Sequence, residues 1–172
     1  MLVALDTKKT VLLPEEGSLR AIAHEAEEGA HYYQLSLRFL AYQPAVSRLF
    51  DILAGECRER VKALASTAER MQLVERATLK ANSRVLAEAP ACSHFFVTDE
   101  GMASQLIREA LQRAEQSLSC YRFWFGLNAV TAWQPLLKDI VAQKRAECRL
   151  IAESAPGDLP PLSPVLAERC IA

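Results

Sequence analysis

Apolar residues return every third or fourth position along four stretches of this chain, the spacing that lines one face of an α-helix. Ser18 can cap the first stretch, and Leu19, Ile22, Ala23, Ala26, Ala30, Tyr33 and Leu37 carry it to about Tyr42. Pro44 suits the first turn of a second helix, whose stripe of Leu49, Ile52, Leu53, Val61 and Leu64 runs to about Arg70. Asp99 can cap a third helix that carries Met102, Leu106, Ile107, Ala110, Leu111, Ala114, Leu118, Tyr121 and Phe125 to Gly126, with Asn128 as a stop. Pro135 opens a fourth, which runs to about Glu153. Between the second and third helices, residues 71–98 form a long crossover in which Ser83 to Ala89 can make a short helix before Pro90. Residues 1–17 read as an irregular lead-in, and the proline-rich residues 155–172 as a surface tail.

The four helices fall into two pairs related in sequence. A shift of 88 residues, without a gap, matches Ala26, Glu27, Tyr33, Ala41, Leu49, Asp51, Ile52, Ala54, Glu59 and Ser66 to identical residues, for instance Tyr33 to Tyr121 and Asp51 to Asp139. Those are 10 identities in 41 positions, where unrelated sequence gives about 3 at ordinary residue frequencies. A duplicated helical pair predicts an all-α fold. The expectation is a single-domain four-helix bundle spanning about residues 18–154 and built from two repeated helix pairs. Short links within the pairs and a long link between them give ferritin-like connectivity, and sites in such bundles are built from side chains on facing helices.

Composition narrows the function. With 172 residues the chain can bury roughly 70% of its unfolded surface in one core. Its 20 basic and 21 acidic residues argue against a nucleic-acid footprint. No apolar run approaches the roughly 20 residues of a membrane span, and Lys8-Lys9 is not followed by a signal-peptide core, so the expectation is a cytoplasmic protein without a membrane partner. Five cysteines without CxxC spacing read as reduced thiols.

Gly29-Ala30-His31-Tyr32-Tyr33-Gln34-Leu35 and the stretch from Ala114 to Tyr121 resemble the first and third helices of rubrerythrin-like members of the ferritin-like superfamily. Ala-x-Glu-x-x-Glu at 54–59 and Ala-x-Lys-x-x-Glu at 142–147 resemble the second and fourth. The resemblance implies a di-iron centre that reacts with oxygen or peroxide, with ligands at the positions occupied here by Ala26, Glu56, Glu59, Ala114, Lys144 and Glu147. Of these, only Glu56 keeps the family's residue type. Alanine replaces both bridging carboxylates, glutamate replaces both histidines, and Lys144 replaces a chelating glutamate.

Three carboxylates and an ammonium cannot balance two irons, so no cofactor is expected. Lys144 is expected instead to pair with Glu56, Glu59 or Glu147 inside the bundle, leaving a charge near minus two that raises at least one glutamate pKa. The competing reading places these residues on the solvated rim. His24, Glu28 and His31 reproduce a Glu-x-x-His spacing but read as a polar surface face, with a metal site as the lesser alternative. His94 reads as a loop histidine. The cluster Tyr121 to Phe125, with Trp133, is too bulky for one bundle face and can supply a homodimer surface. The functional expectation is a non-catalytic bundle that forms homo-oligomers or binds a small ligand. The alternatives are a rubrerythrin-type oxidoreductase holding iron or another divalent metal with a non-standard set (Glu56, Glu59, Glu147, His24, His31), and a redox role for Cys57, Cys120 or Cys148.

Overall fold

A computed structural model describes residues 14–73 and 95–155. The described residues form four α-helices and no strand: α1 (Pro14–Phe39), α2 (Pro44–Arg70), α3 (Glu100–Leu127) and α4 (Gln134–Glu153). Helix α1 begins four residues before the expected cap. Pro14 occupies its first turn with Glu15 and Glu16 beside the positive end of the helix dipole, and Ser18 is buried inside the helix. Asp99 caps α3 as its sequence suggests, accepting a 2.8 Å bond from the Met102 amide. One turn of 3-10 helix, Thr131–Trp133, intervenes before α4. The expected short helix at 83–89 lies outside the described residues.

Helix directions follow from which side chains meet. Glu25 meets Arg60 and Ser36 meets Ser47, so α1 and α2 run antiparallel across their tight link. His24 meets Ser117 and Glu28 meets Arg113, so α3 also runs antiparallel to α1. Helices α2 and α3 therefore share a direction, and the Val97 amide, bonded to the Arg38 carbonyl, fixes the start of α3 beside the end of α1. Leu73 and Phe95 consequently lie at opposite ends of the bundle. The order is up, down, down, up.

Two apolar clusters fill the ends of the interior. One contains Tyr32, Leu35, Phe39, Phe50, Leu53, Ile107, Leu111 and Ile151. The other contains Ala21, Ile22, Leu64, Tyr121, Trp133, Leu137 and Ile140. The sequence positions left between them are Glu25 and Glu28 on α1, Arg60 on α2, Arg113 on α3, and Lys144 and Glu147 on α4. A charged layer thus separates two apolar ones. The aromatic cluster divides: Tyr121 on α3 and Trp133 on the 3-10 turn are buried, whereas Phe125 at the end of α3 is exposed.

Burial does not follow the 88-residue match read from the sequence. Tyr33 is 47% exposed, whereas its 88-residue counterpart Tyr121 is 0% exposed. Ile52 is 55% exposed, whereas Ile140 is 0% exposed. The residues with matching burial are Tyr32 with Tyr121 on α1 and α3, and Leu53 with Ile140 and Arg60 with Glu147 on α2 and α4. Burial therefore matches at an offset of 89 residues between α1 and α3 and of 87 between α2 and α4.

Glycine lets α1 approach α2. A Cβ on Gly29 would stand 3.1 Å from the Cys57 Cβ, whereas one on Gly55 meets nothing nearer than 3.7 Å. Replacing a mid-helix glycine with alanine ordinarily gains about 1 kcal/mol. Gly55→Ala should show that gain in chemical denaturation. Gly29→Ala should forfeit it, because overpacking of about 1 to 3 kcal/mol opposes it.

Candidate functional site

The charged layer is held by side chains that stand on the buried stripe of each helix. On α2 the stripe is Phe50, Leu53, Cys57, Arg60, Leu64, and on α4 it is Leu137, Ile140, Lys144, Glu147, Ile151. On α1, Ile22, Glu25, Gly29, Tyr32, Leu35 and Phe39 follow the same spacing. Helical periodicity places the charges inward because the apolar residues above and below them are inward.

The layer is tightly paired. Arg60 Nε donates to Glu25 Oε2 at 2.6 Å and Arg60 Nη2 to Glu147 Oε2 at 2.9 Å, so one guanidinium joins α2 to α1 and α4. Lys144 Nζ stands 3.2 Å from Glu25 Oε1 and 3.4 Å from Glu147 Oε1. Tyr32 donates to Glu147 Oε1 at 2.6 Å. Arg113 Nε donates to Glu28 Oε1. Three carboxylates face three cations, so the layer is neutral as a whole.

Burial and pairing compete at each group. Burial pushes the Glu25 carboxyl up, but Lys144 and Arg60 together outweigh it and hold Glu25 below the ordinary carboxylate range. Burial would strip Lys144 of its proton, yet Glu25 and Glu147 keep it charged. Burial wins at Glu28, which is raised despite Lys144 and Arg113. The Tyr32 phenol is held far above its usual value by burial, with Glu147 and Glu28 adding to the effect. Cys57 and Cys148 are free, and burial pushes them up to about 12 and about 11, so both are thiols rather than nucleophilic thiolates at neutral pH. Cys120 is disulfide-bonded, which corrects the expectation of five reduced cysteines.

The positions singled out in the sequence divide between inside and outside. Lys144, Glu147 and Ala114 are buried, and Lys144 pairs with Glu147 in the interior. Glu56 and Glu59 are exposed, and Glu59 pairs with Lys62 at the surface. Ala26 is half-buried. Cys57 and Arg60, one residue further along α2, take the interior places that Glu56 and Glu59 were expected to fill. Glu28 is not on a polar surface face but is 1% exposed, because α2 and α3 both pack on α1 and widen its buried arc. His24 bonds Ser117 Oγ at 2.7 Å and packs edge-on against Tyr121 and Trp124, while His31 stands beside Tyr32. Burial pulls both histidines down to about 4, leaving them neutral at physiological pH. His94 lies outside the described residues.

These residues do not fit a di-metal centre. The carboxylate oxygens that could ligate already face ammonium or guanidinium groups, and a divalent ion would add uncompensated positive charge beside Lys144. Among the described residues no group of three or more His, Cys, Asp or Glu is arranged to hold a metal ion. No described helix is long and apolar enough to cross a membrane. Comparison of the chain with family models, with curated proteins and with solved structures finds no match.

Proposed function

We propose that this chain is a rubrerythrin-like bundle in which an internal ion-pair layer stands where such proteins hold two metals, and that it acts without catalysis, as an oligomeric interaction or small-ligand-binding protein. One observation carries the reading. Lys144 and Arg60, buried between two apolar clusters, neutralise carboxylates from α1 and α4 at the level where a bundle of this kind builds its site. The up, down, down, up helix order supports the same likeness, since a single long crossover produces it. Exposed Leu40, Phe95 and Phe96 at one end of the bundle are consistent with an interaction role.

Elemental analysis of the protein purified from cells grown with iron, manganese and zinc tests the proposal. Well under one metal per chain is expected, and the same after incubation with excess Fe(II) followed by desalting. One or two tightly held metals per chain, lost on replacing Glu25 and Glu147, would instead support the oxidoreductase reading.

A further inference from the structure

Glu28 is as buried as the other two carboxylates of the layer but differs from them in its ionic partners. Glu25 faces both Arg60 and Lys144, and Glu147 faces Arg60, Lys144 and the Tyr32 hydroxyl. Among the described residues Glu28 has one ionic partner, Arg113, and its second oxygen is buried without a hydrogen bond. The Arg113 side chain is 42% exposed while that of Glu28 is 1% exposed. The boundary between the layer and solvent therefore runs through this one ion pair.

Arg113 also has somewhere else to go. Glu109 lies four residues earlier on α3, exposed, with its carboxylate held by the Gln105 amide at 2.9 Å. An acidic residue four positions before a basic one is the favourable order for a helical surface pair. An arginine placed between an inner carboxylate and an outer one is a two-state element of the kind that a local charge change can bias.

We propose that Glu28 is the point at which the buried layer exchanges a proton with solvent, and that its protonation releases Arg113 to Glu109 and unties α1 from α3 at that level. The proton goes to a Glu28 oxygen, turning carboxylate into carboxylic acid. Arg113 keeps its charge, and the inner layer stays neutral, with Arg60 and Lys144 against Glu25 and Glu147. The groups that face Glu28 set this preference. Arg113 comes from α3, Lys144 and Glu147 from α4, and Tyr32 from α1 itself. Helix α2 turns its Arg60 to Glu25 and Glu147 rather than to Glu28. His31, which faces Arg113 and Glu109, stays neutral until about pH 4 and does not compete. Folded Glu28 binds its proton more tightly than an unfolded glutamate does, so uptake favours the folded chain and the event is local rather than an unfolding step.

The inference uses the same ionic layer as the proposed function but not its likeness to a metal centre, so its failure would leave the metal analysis untouched. Carboxyl carbon NMR of the intact protein, titrated from pH 8 to pH 4, reads Glu28 directly, and Arg113 Nε–H exchange reads the release. The expected result is a Glu28 midpoint above the ordinary carboxylate range. Across that same midpoint, Arg113 exchange should accelerate at least about tenfold beyond the intrinsic pH dependence of guanidinium exchange. Arg113→Gln should shift the midpoint upward by about one unit, because the guanidinium that favours the carboxylate is gone. A Glu28 that titrates with exposed glutamates overturns the proposal, as does Arg113 exchange that ignores the Glu28 midpoint. Both readouts come from the unaltered protein, so neither depends on whether a variant folds.

Discussion

Replacing Lys144 with methionine should lower the unfolding free energy by about 3 to 5 kcal/mol, the cost of leaving a buried charge unpaired. The ammonium is fully buried between Glu25 and Glu147, and its removal leaves the layer with three carboxylates against two guanidiniums. Methionine roughly preserves the volume, so the loss reports charge rather than a cavity. The surface pair Lys62 and Glu59 supplies the contrast. Lys62→Met should cost less than about 1 kcal/mol, because an exposed pair gains little in water. Denaturant midpoints for the two variants decide whether Lys144 is interior in solution. Similar small losses would place it on the rim and remove the charged layer from the explanation.

Mild acid should weaken the fold through its histidines. Burial holds His24 and His31 near 4, below the ordinary value of 6.5, with His24 against Ser117, Tyr121 and Trp124 and His31 beside Tyr32. As the pH falls below 6.5 the unfolded chain takes up these protons and the folded chain does not. Stability present in full above 6.5 is therefore lost progressively between about 6.5 and 4. Each histidine should cost roughly 2 kcal/mol by pH 5, at about 1.4 kcal/mol per unit. Glu28 works the other way, since its raised pKa adds stability on acidification, whereas the lowered pKa of Glu25 removes stability only below the ordinary carboxylate range. Unfolding free energies at pH 7.5 and pH 5 should differ by several kcal/mol in the wild type. In the His24→Gln, His31→Gln double variant the difference should shrink to less than half. An undiminished slope would show that other groups govern the acid limb.

Helix boundaries were legible where a single residue sets them. Pro44 has no amide hydrogen to lose at the first turn of α2, and Asp99 offers the oxygen that the α3 amides need. The start of α1 was misplaced because Ser18 has a capping side chain, yet Pro14 with two following glutamates makes a better first turn. Lys144 and Glu147 were found by resemblance, and the α4 stripe through Ile140 and Ile151 places them inside independently. On α2 both the residue types Glu56 and Glu59 and the stripe read from the sequence through Leu49, Ile52 and Val61 missed the interior face, which runs one position away through Phe50, Leu53, Cys57, Arg60 and Leu64. Glu25 was missed for the same reason, since the buried face of α1 runs through Tyr32 rather than Tyr33. The pairing of Arg113 with Glu28 was not legible, because it depends on α3 lying antiparallel to α1.

The chain's own cations compensate the buried carboxylates, and a double-mutant cycle on Lys144 and Glu25 measures that compensation. Lys144→Met alone leaves an extra negative charge and Glu25→Gln alone an extra positive one, whereas the double variant is again neutral. The expected result is that the double variant is more stable than the summed single losses imply, by about 2 kcal/mol or more. Losses that add to within about 0.5 kcal/mol would contradict the claim, because independent sites behave that way and a shared charge balance does not.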